Sequence, residues 1–126
     1  MPRNAITPPG ALAPAVPLSP GIRRGGIVQV AGQVAVDPAT GELVGDTVAE
    51  QTRACLRNVF AVLDAAGASE EDIVMLRVYL TDVAHFGEMN AAYAELLSAP
   101  FPARTTVYVG LPPGLLVEID ALAVVE

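Results

Sequence analysis

Runs of apolar residues along this chain follow two periods, and the switch between them outlines the fold. Ile27-Val28-Gln29-Val30-Ala31 reads as a strand, with Gly21–Arg24 as its hairpin partner across Gly25-Gly26. The apolar run Val34-Ala35-Val36 then ends at the turn Asp37-Pro38-Ala39-Thr40-Gly41. Thr47-Val48-Ala49-Glu50 has the form of a capping box, and Val48, Thr52, Cys55, Leu56, Val59, Val62, Leu63 and Ala66 follow at helical spacing. A helix over about 47–66, stopped by Gly67, is expected. Ile73–Leu80 is apolar apart from Arg77, as in a strand covered on both faces. Asp82 can cap a second helix whose stripe is Val83, Phe86, Met89, Asn90, Tyr93, Leu96 and Leu97, ended by Pro100. Arg104–Val109 reads as a strand, 110–114 as a turn, and Leu115–Val125 as a final long strand.

The resulting order, strands, helix, strand, helix, strand, strand, predicts an α+β domain with both helices on one face of a mixed sheet. No repeat or linker divides residues 1–126, so one domain is expected. Residues 1–20 hold six of the eleven prolines, which predicts an extended or irregular N-terminal arm.

Composition adds assembly to this picture. At 52% apolar and 17% charged, the chain is no disordered segment. That apolar share, with a mean hydropathy of +0.47, is high for so small a protomer. Part of its surface is therefore expected to be buried against further copies of the chain. The longest uncharged run, Asn4–Ile22, carries five prolines and no helical period, and so reads as no membrane span.

Charge narrows the partners. Fourteen acidic residues face seven arginines and no lysine, a net charge of −7, and the arginines are scattered. A nucleic-acid or anionic-membrane partner is disfavoured, because either would need a basic stripe. A lone cysteine, Cys55, excludes an intrachain disulfide and a cysteine-based zinc site. No secretory signal follows Met1-Pro2-Arg3, so a cytoplasmic location is expected.

Candidate chemistry lies where polar residues interrupt apolar runs. Arg104 opens a strand after Phe101-Pro102-Ala103. Glu118 lies mid-strand, on the face of Leu116, Asp120 and Leu122. Asn90 interrupts the stripe of the second helix. On the residues alone, Arg104 and Glu118 read as a structural ion pair or as a functional couple. His85 reads as a solvated surface residue, Cys55 as core, and Arg77 as part of a subunit contact or the sheet rim. No His/Asp/Glu cluster has metal-ligand spacing, and no glycine run has phosphate-loop spacing.

Several segments, in order, resemble the RidA/YjgF reactive-intermediate deaminase family. They are Val30-Ala31-Gly32-Gln33, Asp37-Pro38-Ala39-Thr40-Gly41-Glu42, Gln51-Thr52-Arg53 and Val62-Leu63-Asp64-Ala65-Ala66-Gly67-Ala68. Val78-Tyr79-Leu80-Thr81-Asp82 and Met89-Asn90-Ala91-Ala92-Tyr93 follow, then Phe101-Pro102-Ala103-Arg104-Thr105 and Leu111-Pro112-Pro113-Gly114 leading to Val117-Glu118-Ile119-Asp120-Ala121. The resemblance runs from about Ile22 to Val125. It implies a chorismate-mutase-like α+β fold, a homotrimer with clefts between subunits, and hydrolysis of 2-aminoacrylate-type enamines and imines to 2-oxo acids and ammonia without cofactor or metal.

Carried onto this chain, the resemblance makes Arg104 the grip on the substrate carboxylate, a role suited to a planar guanidinium fork. Glu118 becomes the acid that holds and polarises the attacking water. Asn90 and Thr106 stand near the cleft, and Gly32 lines it. The chain departs from the family pattern at three positions: Leu18 for a tyrosine, Ala31 for a serine and Thr106 for a cysteine. The lost hydroxyls favour a bulkier or less polar acid. They also leave open a non-catalytic, trimeric carboxylate-binding or chaperone-like module, or a pathway-specific deaminase acting on a larger enamine. The family's other label, endoribonuclease, sits poorly with a charge of −7 and a single histidine.

Overall fold

In the computed structural model, which describes residues 2–126, the capping box forms and fixes the start of helix α1 (Val48–Ala65). The Thr47 hydroxyl accepts from the Glu50 N–H, and Glu50 Oε1 accepts from the N–H groups of Thr47 and Asp46, each at 3.1 Å. These bonds hold the Glu50 carboxyl below its ordinary pKa, the Asp46 backbone bond acting most strongly. Gly67, at φ +79°, ends the helix in a left-handed turn that a side chain would strain. Ala68 N–H then reaches the Leu63 carbonyl at 2.8 Å and Gly67 N–H the Asp64 carbonyl at 3.0 Å.

Six strands form one sheet: β1 (Asn4–Ile6), β2 (Gly21–Arg24), β3 (Ile27–Val34), β4 (Ile73–Leu80), β5 (Ala103–Tyr108) and β6 (Val117–Val124). Their spatial order is β1-β2-β3-β6-β4-β5. All neighbours run antiparallel except β4 and β5, which are parallel and joined through helix α2 (Phe86–Leu96). Both helices cover one face. There Val28 and Val30 of β3, Leu76 and Val78 of β4, and Ile119 and Ala121 of β6 meet Leu56, Val59, Leu63 and Met89, all fully buried. The expected α+β sheet with two helices on one face is thus the observed one.

The differences have local causes. The proline-rich arm contains a strand, because Asn4–Ile6 pairs with Arg23–Gly21, a partner beyond the reach of local pattern. The run at 27–31 continues to Val34 as one strand, β3, whose pairing with β6 shifts register between Val30 and Gln33, while Val36 forms only an isolated bridge to Leu43. A 3-10 turn, Val83–His85, precedes α2, with the Asp82 carboxylate accepting from Ala84 N–H at 2.8 Å. That turn rotates Val83 (68% exposed) and Phe86 (40% exposed) off the stripe, which buries Met89, Tyr93 and Leu97. Within the protomer β4 is covered on one face only: Arg77 is exposed and Tyr79 half-buried on the other.

Candidate active site

The polar candidates fall into two groups. In the first, Arg104 projects from the start of β5 toward α2, its guanidinium carbon 4.8 Å from the ring centre of Tyr93 and 5.7 Å from that of Phe86. Stacking on two rings holds the cation by roughly 1 kcal/mol or more through its face, and the N–H donors of a guanidinium lie in its plane. Among the described residues the ion pairs are Arg53–Glu95 and Arg77–Asp120, so Arg104 has no carboxylate partner. Asn90, Tyr93, Phe101 and Pro102 line a pocket around it. Asn90 Oδ1, Tyr93 Oη and Thr106 Oγ1 are buried without a hydrogen-bond partner in the protomer. Burial of such a group without a partner is costly. Tyr93 titrates above the usual tyrosine range because burial outweighs the nearby Arg104 charge.

In the second group, Glu118 of β6 stands beside Gly32 at the β3 register shift. A Cβ at residue 32 would lie 2.9 Å from Glu118 Cδ and 3.1 Å from its Oε2, so the missing side chain is what makes room for the carboxylate. Ala31 and Leu18 line the same groove, together with the N-terminal arm. Burial raises the Glu118 pKa, and the negative charge of Asp120 raises it further. Asp120 is itself fixed, accepting from Arg77 Nε and from the Tyr79 hydroxyl, each at 2.8 Å.

The chain by itself does not bring the two groups together. Arg104 is in register with Leu76 of β4, whose side chain enters the helix-covered core, and Glu118 with Tyr79 on the open face. Positions three apart on a strand point to opposite faces. The Arg104–Glu118 ion pair that the sequence allowed is therefore absent, because strand alternation puts the two on opposite sides of the sheet. Arg77 instead pairs with Asp120 on that open face.

Three features escaped the sequence reading. Tyr93 was legible only as a core position, although its ring also seats Arg104. The Arg77–Asp120–Tyr79 cluster needs the β4–β6 register, although the alternation of Glu118 with Asp120 points to it. Asn58, beside the Glu118 groove, donates to the carbonyls of Val34 and Val36 and holds that end of β3 against α1. His85 is half-buried and lines neither pocket. Cys55 is buried, its thiol 3.5 Å from the Val117 carbonyl, and burial pushes its pKa up to about 12, so it is no ready nucleophile. Among the described residues no group of three His, Cys, Asp or Glu side chains could hold a metal, and no helix is long and apolar enough to cross a membrane.

Known proteins share this framework. The sequence profile described as Endoribonuclease L-PSP matches residues 9–125. A RutC family protein of Pyrococcus horikoshii is 41% identical over 125 residues, covering 98% of this chain and 99% of the relative. Among solved structures, the Escherichia coli YjgF gene product superposes with a TM-score of 0.89 at 36% identity, over 98% of this chain and 99% of that one. Escherichia coli TdcF with bound serine does so with a TM-score of 0.88 at 34% identity, again over 98% and 99%. A profile match spanning nearly the whole sequence, with full-length relatives well above 30% identity, places the chain in the RidA/YjgF family.

Proposed function

We propose that the protein hydrolyses 2-imino acids, and the enamines that tautomerise to them, to 2-oxo acids and ammonia. The observation that carries this reading is the half-buried Arg104 guanidinium, stacked on Tyr93 and free of any carboxylate of its own chain. Such a fork takes a substrate carboxylate through two parallel charge-assisted bonds. The serine of TdcF, an amino acid with a carboxylate next to a carbon–nitrogen bond, belongs to the same chemical class. Asn90, which lines the same pocket as Arg104, carries an amide oxygen suited to accept from the imine N–H.

Glu118 does the proton work. Its raised pKa brings it nearer neutrality, where a carboxylate both accepts and returns a proton effectively. Water adds to C2 of the imine as Glu118 takes one of its protons. With the imine nitrogen protonated at the outset, Glu118 then returns that proton to the amino nitrogen of the carbinolamine, and as the C–N bond breaks and ammonia leaves, the Glu118 carboxylate takes the hydroxyl proton and the C2 carbonyl forms.

A substrate with six heavy atoms cannot touch both faces of one sheet, so the site is assembled from Arg104 of one copy and Glu118 of the next. Joining two different surfaces in this way is a heterologous contact that closes into a ring, in line with the homotrimer the family resemblance implies. The test is complementation. Arg104→Ala and Glu118→Gln are each expected to be inactive on imines released by an amino-acid oxidase. Mixed trimers reassembled from both would regain about a quarter of the wild-type sites. Full activity of Arg104→Ala alone would remove the carboxylate grip, and the absence of any recovery would remove the shared site.

The second reading is a carboxylate-binding module without turnover, favoured by the missing hydroxyls at Leu18 and Ala31. Tight 2-oxo acid binding with no ammonia release from any imine would establish it. Ribonuclease activity is disfavoured by the net charge of −7. RNA cleavage by the purified protein, lost in Arg104→Ala, would reverse that.

A further inference from the structure

The groove that ends at Glu118 continues well past the carboxylate. It runs between the N-terminal arm, the end of β3 and helix α1, an open groove of about 540 Å³, a size typical of small-molecule sites. Leu12, Val16 and Leu18 form one wall; Val36, Ala61 and Val62 form the other. Within the single chain the three arm residues are 56%, 60% and 54% exposed, although apolar side chains of that size ordinarily turn inward. The polar side chains alongside, Glu118 apart, each make a hydrogen bond to backbone. Asn58 Nδ2 donates to the Val34 and Val36 carbonyls, Gln33 Nε2 donates to the Ala31 carbonyl, and Asp37 Oδ1 accepts from Ala39 N–H.

We infer that this groove receives the side chain of the substrate, and that the preferred substrates are 2-imino acids with branched or aromatic apolar side chains rather than those derived from alanine or serine. The inference rests on the proposed deaminase site, because it places the reacting carbon beside Glu118 with the side chain directed along the arm. The lining is mostly carbon and methyl surface, so an apolar side chain gains more there than a polar one, which gives up its water on entering. Each buried methylene is worth about fourfold in binding, and a leucine-type side chain adds three carbons to an alanine-type one. The upper bound is about sixtyfold, and a groove open to solvent realises part of it, about tenfold or more.

The experiment compares the intact wild-type protein on imines generated by an L-amino-acid oxidase from alanine, leucine and phenylalanine, with semicarbazide trapping as the readout. In parallel, calorimetry measures binding of the matching 2-oxo acids. The expected kcat/KM ratio for leucine-derived over alanine-derived imine is at least about tenfold, with the same order in 2-oxo acid affinity. Leu12→Ser and Val16→Ser, both at exposed positions that should not disturb folding, are expected to lower that ratio about threefold or more each. A flat ratio, an alanine preference, or a high ratio untouched by both variants would overturn the groove assignment while leaving the deaminase standing. No turnover, with binding that still follows side-chain length and falls in both variants, would keep the groove and remove the deaminase. Neither turnover nor length-dependent binding would remove both.

Discussion

Replacing Gly32 by alanine isolates the placement of Glu118 from the stability of the fold. The new Cβ would meet Glu118 Cδ at 2.9 Å, Oε2 at 3.1 Å and Cγ at 3.2 Å. Carbon contacts settle at about 3.5 Å or more, so the carboxylate must retreat by about 0.6 Å or swing to another rotamer. Misplacing a reacting group by about 1 Å costs on the order of a hundredfold in rate, so kcat/KM for imine hydrolysis should fall about 10- to 100-fold. The fold should hardly notice. The clash is with the far end of a flexible side chain, and removing a glycine from a strand recovers backbone entropy of similar size. The net change should lie within about 1 kcal/mol, a shift in Tm of about 4 °C or less. Steady-state kinetics beside a thermal melt separate the two quantities. Undiminished kcat/KM in Gly32→Ala would refute the claim that the position of Glu118 sets the rate. A collapse of Tm in step with activity would show that Gly32 serves the fold and not the site.

Two further outcomes follow from the same geometry. In Asp120→Asn the charge that helps raise Glu118 is gone, so Glu118 titrates lower. Activity is lost as pH falls through the Glu118 pKa, so the acid limb of the kcat/KM profile should move to lower pH; an unmoved limb would separate Asp120 from the site. Gln51→Leu leaves the Gly45 and Gly114 carbonyls and the Leu116 N–H without the partner they have at 3.2, 2.8 and 2.8 Å. The cost is about 2–4 kcal/mol, lowering the urea midpoint by about 1–2 M, and an unchanged midpoint would show that the loop before β6 is held by other means.

Local physics made much of the fold readable. Thr47 and Glu50 announce α1 because a capping box is completed within four residues, and Gly67 announces its end because only glycine sits easily at φ +79°. Strand β1 was hidden because its three residues gain meaning only by pairing with Gly21–Arg24. The site divides the same way. Arg104, Asn90 and Glu118 stood out as polar breaks in apolar runs, and alternation along β6 put Glu118 with Asp120. The separation of Arg104 from Glu118 was not legible, because it depends on β4 lying between their strands and on the register of each pairing. Seating Arg104 on the Tyr93 ring required the packing of α2 against β5, which no linear pattern encodes.

The strand order has a bearing on biosynthesis. β6, the last of the six strands in chain order, hydrogen-bonds β3 on one side and β4 on the other. A nascent chain therefore carries two unjoined ribbons, β1-β2-β3 and β4-β5, until residues 117–124 clear the ribosome and zip them together. Losing residues 117–124 would leave both ribbons with bare edges, open to pairing with the wrong chain.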